Sequence, residues 1–119
     1  MINTRKEIRI DSDTTLTADI KQVYFSYDMG VPSSYTIIPA SLTEMQGQWL
    51  LLHSTGGETT GAIKDVYFDP SGATVVIGGG VVRTKVTFRR NTAAYNDFGL
   101  LYCDGVRWIL VASYGGVVS

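Results

Sequence analysis

The chain has 119 residues, 10 Lys plus Arg against 11 Asp plus Glu, and 45% apolar residues, a composition that fits one compact domain rather than two. A formal net charge of −1 supplies none of the electrostatic footprint that nucleic-acid binding needs. No apolar run approaches the roughly 18 to 20 residues that span a bilayer, and no basic region leads into an export-type apolar run, so neither nucleic acid nor membrane is expected as a partner. Cys103 is the single cysteine, which excludes an intrachain disulfide and a Cys-based metal cluster.

Apolar residues recur at every second position, and Val, Ile, Thr, Tyr, Phe and Trp dominate those segments, as strands require. The spacing predicts strands at 7–10, 15–18, 22–27, 34–38 and 48–53, then at 65–68, 74–77, 84–90, 98–103 and 106–112. Residues 1–9 carry Arg5, Lys6 and Arg9 with little hydrophobicity and read as a basic arm. Ser41 and Glu44 have the spacing of a capping box just after Pro39, and Gly47 stops the segment after a single helical turn. Asp69, Pro70, Ser71 and Gly72 form a turn expected to fold 66–68 back against 74–77. Gly78, Gly79 and Gly80 read as a bend. In 84–90, Val86 and Phe88 point one way while Lys85, Thr87 and Arg89 point the other, giving one wet face. Asp104-Gly105 between two apolar runs predicts a type I′ hairpin over 98–112. The end, 113–119, reads as a second arm. About ten short strands separated by Gly, Pro, Asp and Ser indicate an all-β protein, an antiparallel β-sandwich of jelly-roll kind. Its expected divisions are an N-terminal arm at 1–14, the sandwich at 15–113 and a C-terminal tail at 114–119.

Two strands have no polar side. Trp108 and Leu110 occupy one face of their strand and Ile109 and Val111 the other, and 49–52 repeats the pattern. A two-layer sandwich covers only one face of each sheet, so the second apolar face is expected to lie against a neighbouring subunit. Trp49, Leu51, Trp108, Ile109 and Val111 are the candidate residues of that homo-oligomer interface. Arg5, Lys6, Arg9, Arg89 and Arg90 are the candidate contacts to a further, acidic partner, with Arg83 and Lys85 in the same basic cluster.

No constellation of catalytic residues emerges. His53 is the only histidine, and Ser54 beside it on a strand points to the opposite face. Cys103 has no basic group near it in sequence and reads as a small buried hydrophobe. Asp65 with Asp69, and Asp11 with Asp13, are pairs that any acid-containing chain offers. The latter begins like a calcium loop, but Leu16 stands at the sixth position and Gln22 at the twelfth. The glycines of 55–62 lack the P-loop lysine, which is replaced by Ala62, and Arg83 spoils a dinucleotide pattern at 78–83. No enzyme activity, cofactor or metal is therefore expected. Tyr24, Tyr27, Tyr35, Tyr95 and Tyr114 offer rings on which a glycan could stack.

The stretch from Thr15 to Ser113 resembles a β-sandwich module of tailed-bacteriophage virion proteins, found in tail fibres and on capsid surfaces. The likeness is carried by Thr15-Leu16-Thr17-Ala18 with Val23-Tyr24-Phe25-Ser26, and by Tyr35-Thr36-Ile37-Ile38-Pro39-Ala40. Gly47-Gln48-Trp49-Leu50-Leu51-Leu52 and Val66-Tyr67-Phe68-Asp69-Pro70-Ser71-Gly72 follow, leading into Val75-Val76-Ile77-Gly78-Gly79. The closing run from Gly99 through Asp104-Gly105 and Trp108 to Ser113 is the most specific piece. The resemblance implies a trimeric, non-enzymatic virion protein. With no fibre shaft in the sequence, the expected role is a capsid decoration or cement protein that stabilises the shell through contacts with the major capsid protein or other virion proteins. The alternative is a tail-fibre or receptor-binding component that recognises host surface glycans.

Overall fold

The computed structural model describes residues 6–26, 32–54, 64–90, 97–114 and 117–118. Among the described residues the strands are β1 (Lys6–Ile10), β2 (Thr14–Thr15), β3 (Ile20–Phe25), β4 (Ser34–Ile38), β5 (Trp49–Ser54) and β6 (Lys64–Phe68). They continue with β7 (Val75–Ile77), β8 (Val81–Arg83), β9 (Val86–Arg90), β10 (Phe98–Cys103), β11 (Trp108–Tyr114) and β12 (Val117–Val118). One helical turn, α1 (Leu42–Met45), starts as the sequence predicts. Ser41 caps it by accepting from the Glu44 N–H at 3.3 Å and donating to the Glu44 carboxylate at 3.1 Å.

The strands form two sheets, a larger one ordered β1-β3-β5-β10-β11-β7-β8 and a smaller one ordered β12-β9-β6-β4-β2. From β1 to β6 the chain changes sheet at every strand, odd strands in the larger and even strands in the smaller. Returning to a sheet after a visit to the other makes successive strands there run the same way. The β1/β3/β5 pairings and the β2/β4/β6 pairings are accordingly all parallel. The later strands close this flattened coil antiparallel, β10 onto β5, β11 onto β10, β9 onto β6 and β12 onto β9. The expected all-antiparallel sandwich is thus corrected to two sheets of mixed direction.

Four local readings change as well. Residues 69–72 do turn, with the Asp69 carboxylate accepting from the Ser71 N–H at 3.0 Å, but β6 and β7 lie in different sheets, so the turn is a crossing and not a hairpin. Residues 6–10 are not an arm: β1 pairs with β3 and buries Ile10 in the core. The C-terminal tail likewise includes β12, which pairs with β9 in the smaller sheet. The hairpin of β10 and β11 forms as expected, but its turn is not type I′, since of Asp104 and Gly105 only the glycine has positive φ, 91°. The Asp104 carboxylate holds the loop by accepting from the Val106 and Arg107 N–H groups at 2.8 Å each, and those two bonds push its pKa down.

The core lies between the sheets. From the larger sheet come Val23, Phe25, Leu50, Leu52, Val75, Leu101, Cys103 and Trp108; from the smaller, Tyr35, Ile37, Val66, Phe68, Val86 and Phe88. Phe25 meets Phe88 at 5.1 Å between ring centroids, and Phe68 meets Trp108 edge-on at 5.3 Å. The alternation read for 84–90 holds, with Val86 and Phe88 fully buried and Thr87 and Arg89 on the outer side.

Gly99 leaves no space for a side chain inside the core. A Cβ there would stand 2.8 Å from Phe88 Cζ and 3.3 Å from Leu110 Cδ1. Phe88 is fully buried and has no room to swing. Gly99→Ala is expected to lower the unfolding free energy by about 1–3 kcal/mol, read from urea midpoints, through overpacking. Adding Phe88→Leu should recover part of that loss, and a Gly99→Ala chain as stable as the parent would contradict the packing described.

Candidate functional site

The two sheets bury similar inner faces and present opposite outer ones. Outside the smaller sheet stand Ser34, Thr36, Ile38, Asp65, Tyr67, Thr87 and Arg89, a largely polar surface. Arg89 grips Asp65 through two bonds, Nε to Oδ1 at 2.8 Å and Nη2 to Oδ2 at 3.0 Å, which keeps its guanidinium firmly charged. Lys85 Nζ lies 4.2 Å over the Tyr67 ring. This face is complete in water.

Outside the larger sheet the side chains form three rows across the strands. The first runs Trp49, Tyr102, Ile109, Val76, Val82 through β5, β10, β11, β7 and β8. The second runs Glu7, Gln22, Leu51, Leu100, Ala112 from β1 to β11. The third runs Arg9, Tyr24, His53, Phe98, Tyr114 over the same strands. Trp49 rests on Tyr102 at 4.8 Å, Tyr24 on His53 at 3.9 Å, Phe98 stacks on Tyr114 at 6.3 Å, and the Arg9 guanidinium lies 5.2 Å over Tyr24. Apart from the Glu7, Arg9, Gln22 and His53 corner, the face is apolar. It leaves Trp49 47%, Val111 52%, Val82 54% and Tyr114 60% exposed. The register slips between Leu100 and Leu101, so Val111 is an extra residue in β11 with no partner on β10.

Of the residues expected at a subunit interface, Trp49, Leu51 and Ile109 therefore share this one face, and Val111, 52% exposed, sits at the bulge next to Ala112 of its second row. Trp108 does not. It points the other way, is fully buried, and belongs to the core, because its position in β11 has the parity of Leu101 and Cys103, not that of Ile109. Tyr102, Leu100, Phe98, Val76 and Val82 are members that the sequence reading missed. Their strands' outward parity became informative only once the strand order was known.

The basic candidates are dispersed. Lys6 pairs with Asp19 at 3.0 Å, Arg9 covers Tyr24, and Arg89 is held by Asp65 on the opposite sheet. Bonds from Thr17 and from Lys6 hold the Asp19 carboxyl below its ordinary range. Arg5 and the Arg90 side chain lie outside the described residues. Of the tyrosines, Tyr35 is buried with its hydroxyl donating to Ser26 O at 2.7 Å, and Tyr27 and Tyr95 lie outside the described residues. Tyr24 and Tyr114 stand at separate strands of the outer face, with His53 and Phe98 between them.

His53 and Ser54 face opposite sides of β5, as expected. Gln22 Nε2 lies 3.1 Å from His53 Nε2 and Glu7 Oε2 lies 3.8 Å from it. Burial pushes the imidazole pKa down and Glu7 partly opposes this. Cys103 is buried, its thiol pushed up by desolvation and its Sγ 3.7 Å from the Leu42 carbonyl. A cleft of about 250 Å3 at one end of the sandwich is lined by Pro39, Ala40, Leu42, Pro70 and Trp108 among others, with no titratable side chain. Among the described residues, no three or more His, Cys, Asp and Glu side chains gather to hold a metal ion, and no helix is long and apolar enough to cross a membrane. Compared with protein-family models, curated proteins and solved structures, the chain finds no match.

Proposed function

We propose that this chain is a non-enzymatic structural protein of a tailed-phage virion, a capsid decoration or cement protein that works as a homotrimer. The observation that carries the reading is the outer face of the larger sheet, where Trp49, Leu51, Leu100, Tyr102, Ile109, Val76 and Val82 present a continuous apolar surface. Covering such a surface with the same surface of further copies stabilises the assembly at about 25 cal/mol per Å2 of apolar area removed from water. The polar outer face of the smaller sheet, which carries Arg89, then stays outside the joint between copies. The resemblance over Thr15 to Ser113 supplies the virion context and the threefold stoichiometry.

The mechanism is mechanical: the trimer adds contacts that bridge neighbouring shell subunits. Basic groups at Arg5, Lys6, Arg9, Arg89 and Arg90 are the candidates for meeting the major capsid protein. The Lys6–Asp19 pair is solvent-exposed and so exchanges readily for a partner's carboxylate, whereas Arg89 is tied more firmly by its two bonds to Asp65. Cryo-electron microscopy of the assembled particle tests the reading. Trimers of this chain seated on the shell are expected, and a particle carrying the chain only on its tail would overturn it.

A second reading rests on Trp49 and Tyr102, adjacent aromatic rings on the outer face, which suit stacking against the apolar face of a sugar. It makes the chain a tail-fibre or receptor-binding component for host surface glycans. Both uses need the same surface, so reproducible binding on a glycan array favours this reading, and silence on the array with binding to shells favours decoration.

A further inference from the structure

The apolar face has one titratable corner, and it sits where copies of the chain would meet. His53 lies in the middle of the third row, between Tyr24 on β3 and Phe98 on β10, with Leu51 two residues before it on β5. Among the described residues, the charged and titratable groups facing it are Glu7 and Arg9 from β1 and Tyr24 from β3; β10 presents Phe98 and Leu100 there, neither of which ionises. Asp97, next to Phe98, is buried on the other side of the sheet, where its carbonyl accepts from the Ser54 N–H.

The geometry suits a neutral ring. The Gln22 amide nitrogen stands 3.1 Å from Nε2, a donor facing an acceptor. Protonation turns Nε2 into a donor, breaks that contact unless the Gln22 amide turns over, and places a charge on a surface that has to lose water when a second copy covers it. Among the described residues Glu7 is the one carboxylate near enough to compensate, at 3.8 Å, and it stands on the edge strand.

We infer that the joint between copies closes on the neutral imidazole of His53, so that acidification takes the assembly apart. This rests on the self-assembly reading above. The sign follows from linkage. Burial already disfavours the imidazolium in the single chain, and further covering disfavours it more, so the dissociated chains bind more protons and association weakens as pH falls through the histidine range. Each unit by which assembly lowers the histidine pKa weakens association about tenfold per subunit at pH values well below both.

Sedimentation velocity of the intact chain at about pH 7.5 and about pH 5 tests the inference, with circular dichroism to check folding at both. The expected result is an oligomer at the higher pH and folded monomer at the lower, with His53→Gln assembled at both. Glu7→Gln, which removes the compensating charge, should move the dissociation midpoint to lower pH. His53 is the only histidine, so its imidazole proton resonances report its titration directly in the parent chain, without any variant. The midpoint should lie lower in the assembled protein than in the diluted one. A parent chain assembled equally at both pH values, or a His53→Gln chain that dissociates as the parent does, overturns this inference and leaves self-assembly standing. A monomer already at about pH 7.5 overturns both.

Discussion

Trp108→Ala is expected to lower the unfolding free energy by about 3–5 kcal/mol, as loss of a fully buried aromatic does. The indole packs edge-on against Phe68 at 5.3 Å and floors the cleft beside Pro39 and Pro70, while the Trp108 backbone N–H, which an alanine would keep, donates to Thr74 O at 2.9 Å. It ties β11 to the smaller sheet and to the crossing between β6 and β7 at once. A domain of this size has about 5–15 kcal/mol in total, so the variant should be marginal at room temperature. Urea unfolding of parent and variant measures the loss; Trp49→Ala, which removes a half-exposed ring, should cost clearly less in the single chain. A Trp108→Ala chain within about 1 kcal/mol of the parent would contradict the core position of the indole.

Val82→Lys and Val111→Lys should do the reverse. Both valines are more than half exposed in the single chain, so a lysine there changes its stability by about 0.5 kcal/mol or less. In the assembly each lysine would be trapped without a counter-charge in an apolar contact, and association should fall by at least about a hundredfold. Light scattering coupled to size exclusion reads the mass, and circular dichroism the fold. Unchanged fold with lost assembly is the expected pair of results, and variants that assemble as the parent does would show that this face is not the joint.

These two substitutions mark where the sequence was informative and where it was not. Period-two patterning correctly placed β4 and β10, separated Val86 and Phe88 from Thr87 and Arg89, and marked β5 and β11 as apolar on both sides. It could not say which side of β11 faces inward, because a strand with two apolar faces carries no polarity of its own. Trp108 and Ile109 were therefore indistinguishable until β10 and β7 fixed the register. The turn at 69–72 misled for a related reason. Its residues specify a reversal of the chain, and a reversal within one sheet and a crossing between two use the same Pro and Gly chemistry. The parallel pairings of β1, β3 and β5 left no local trace, since their partners are separated by whole strands of the other sheet. Arg9 and Lys6 looked like an unstructured basic arm because charges dilute the pattern, yet charged residues on an edge strand are a common way to protect a free edge.

The asymmetry of the two outer faces is the feature from which the rest follows. Arg89 with Asp65 and Lys85 with Tyr67 make the outer face of the smaller sheet polar, while the rows that start at Trp49, Leu51 and Tyr24 make that of the larger sheet mainly apolar. Sedimentation equilibrium of the parent chain at about pH 7.5 and tens of micromolar measures directly whether that face is covered. The account predicts a particle of three chains of 13.0 kDa each; a folded monomer of 13.0 kDa that persists across the concentration range would contradict it.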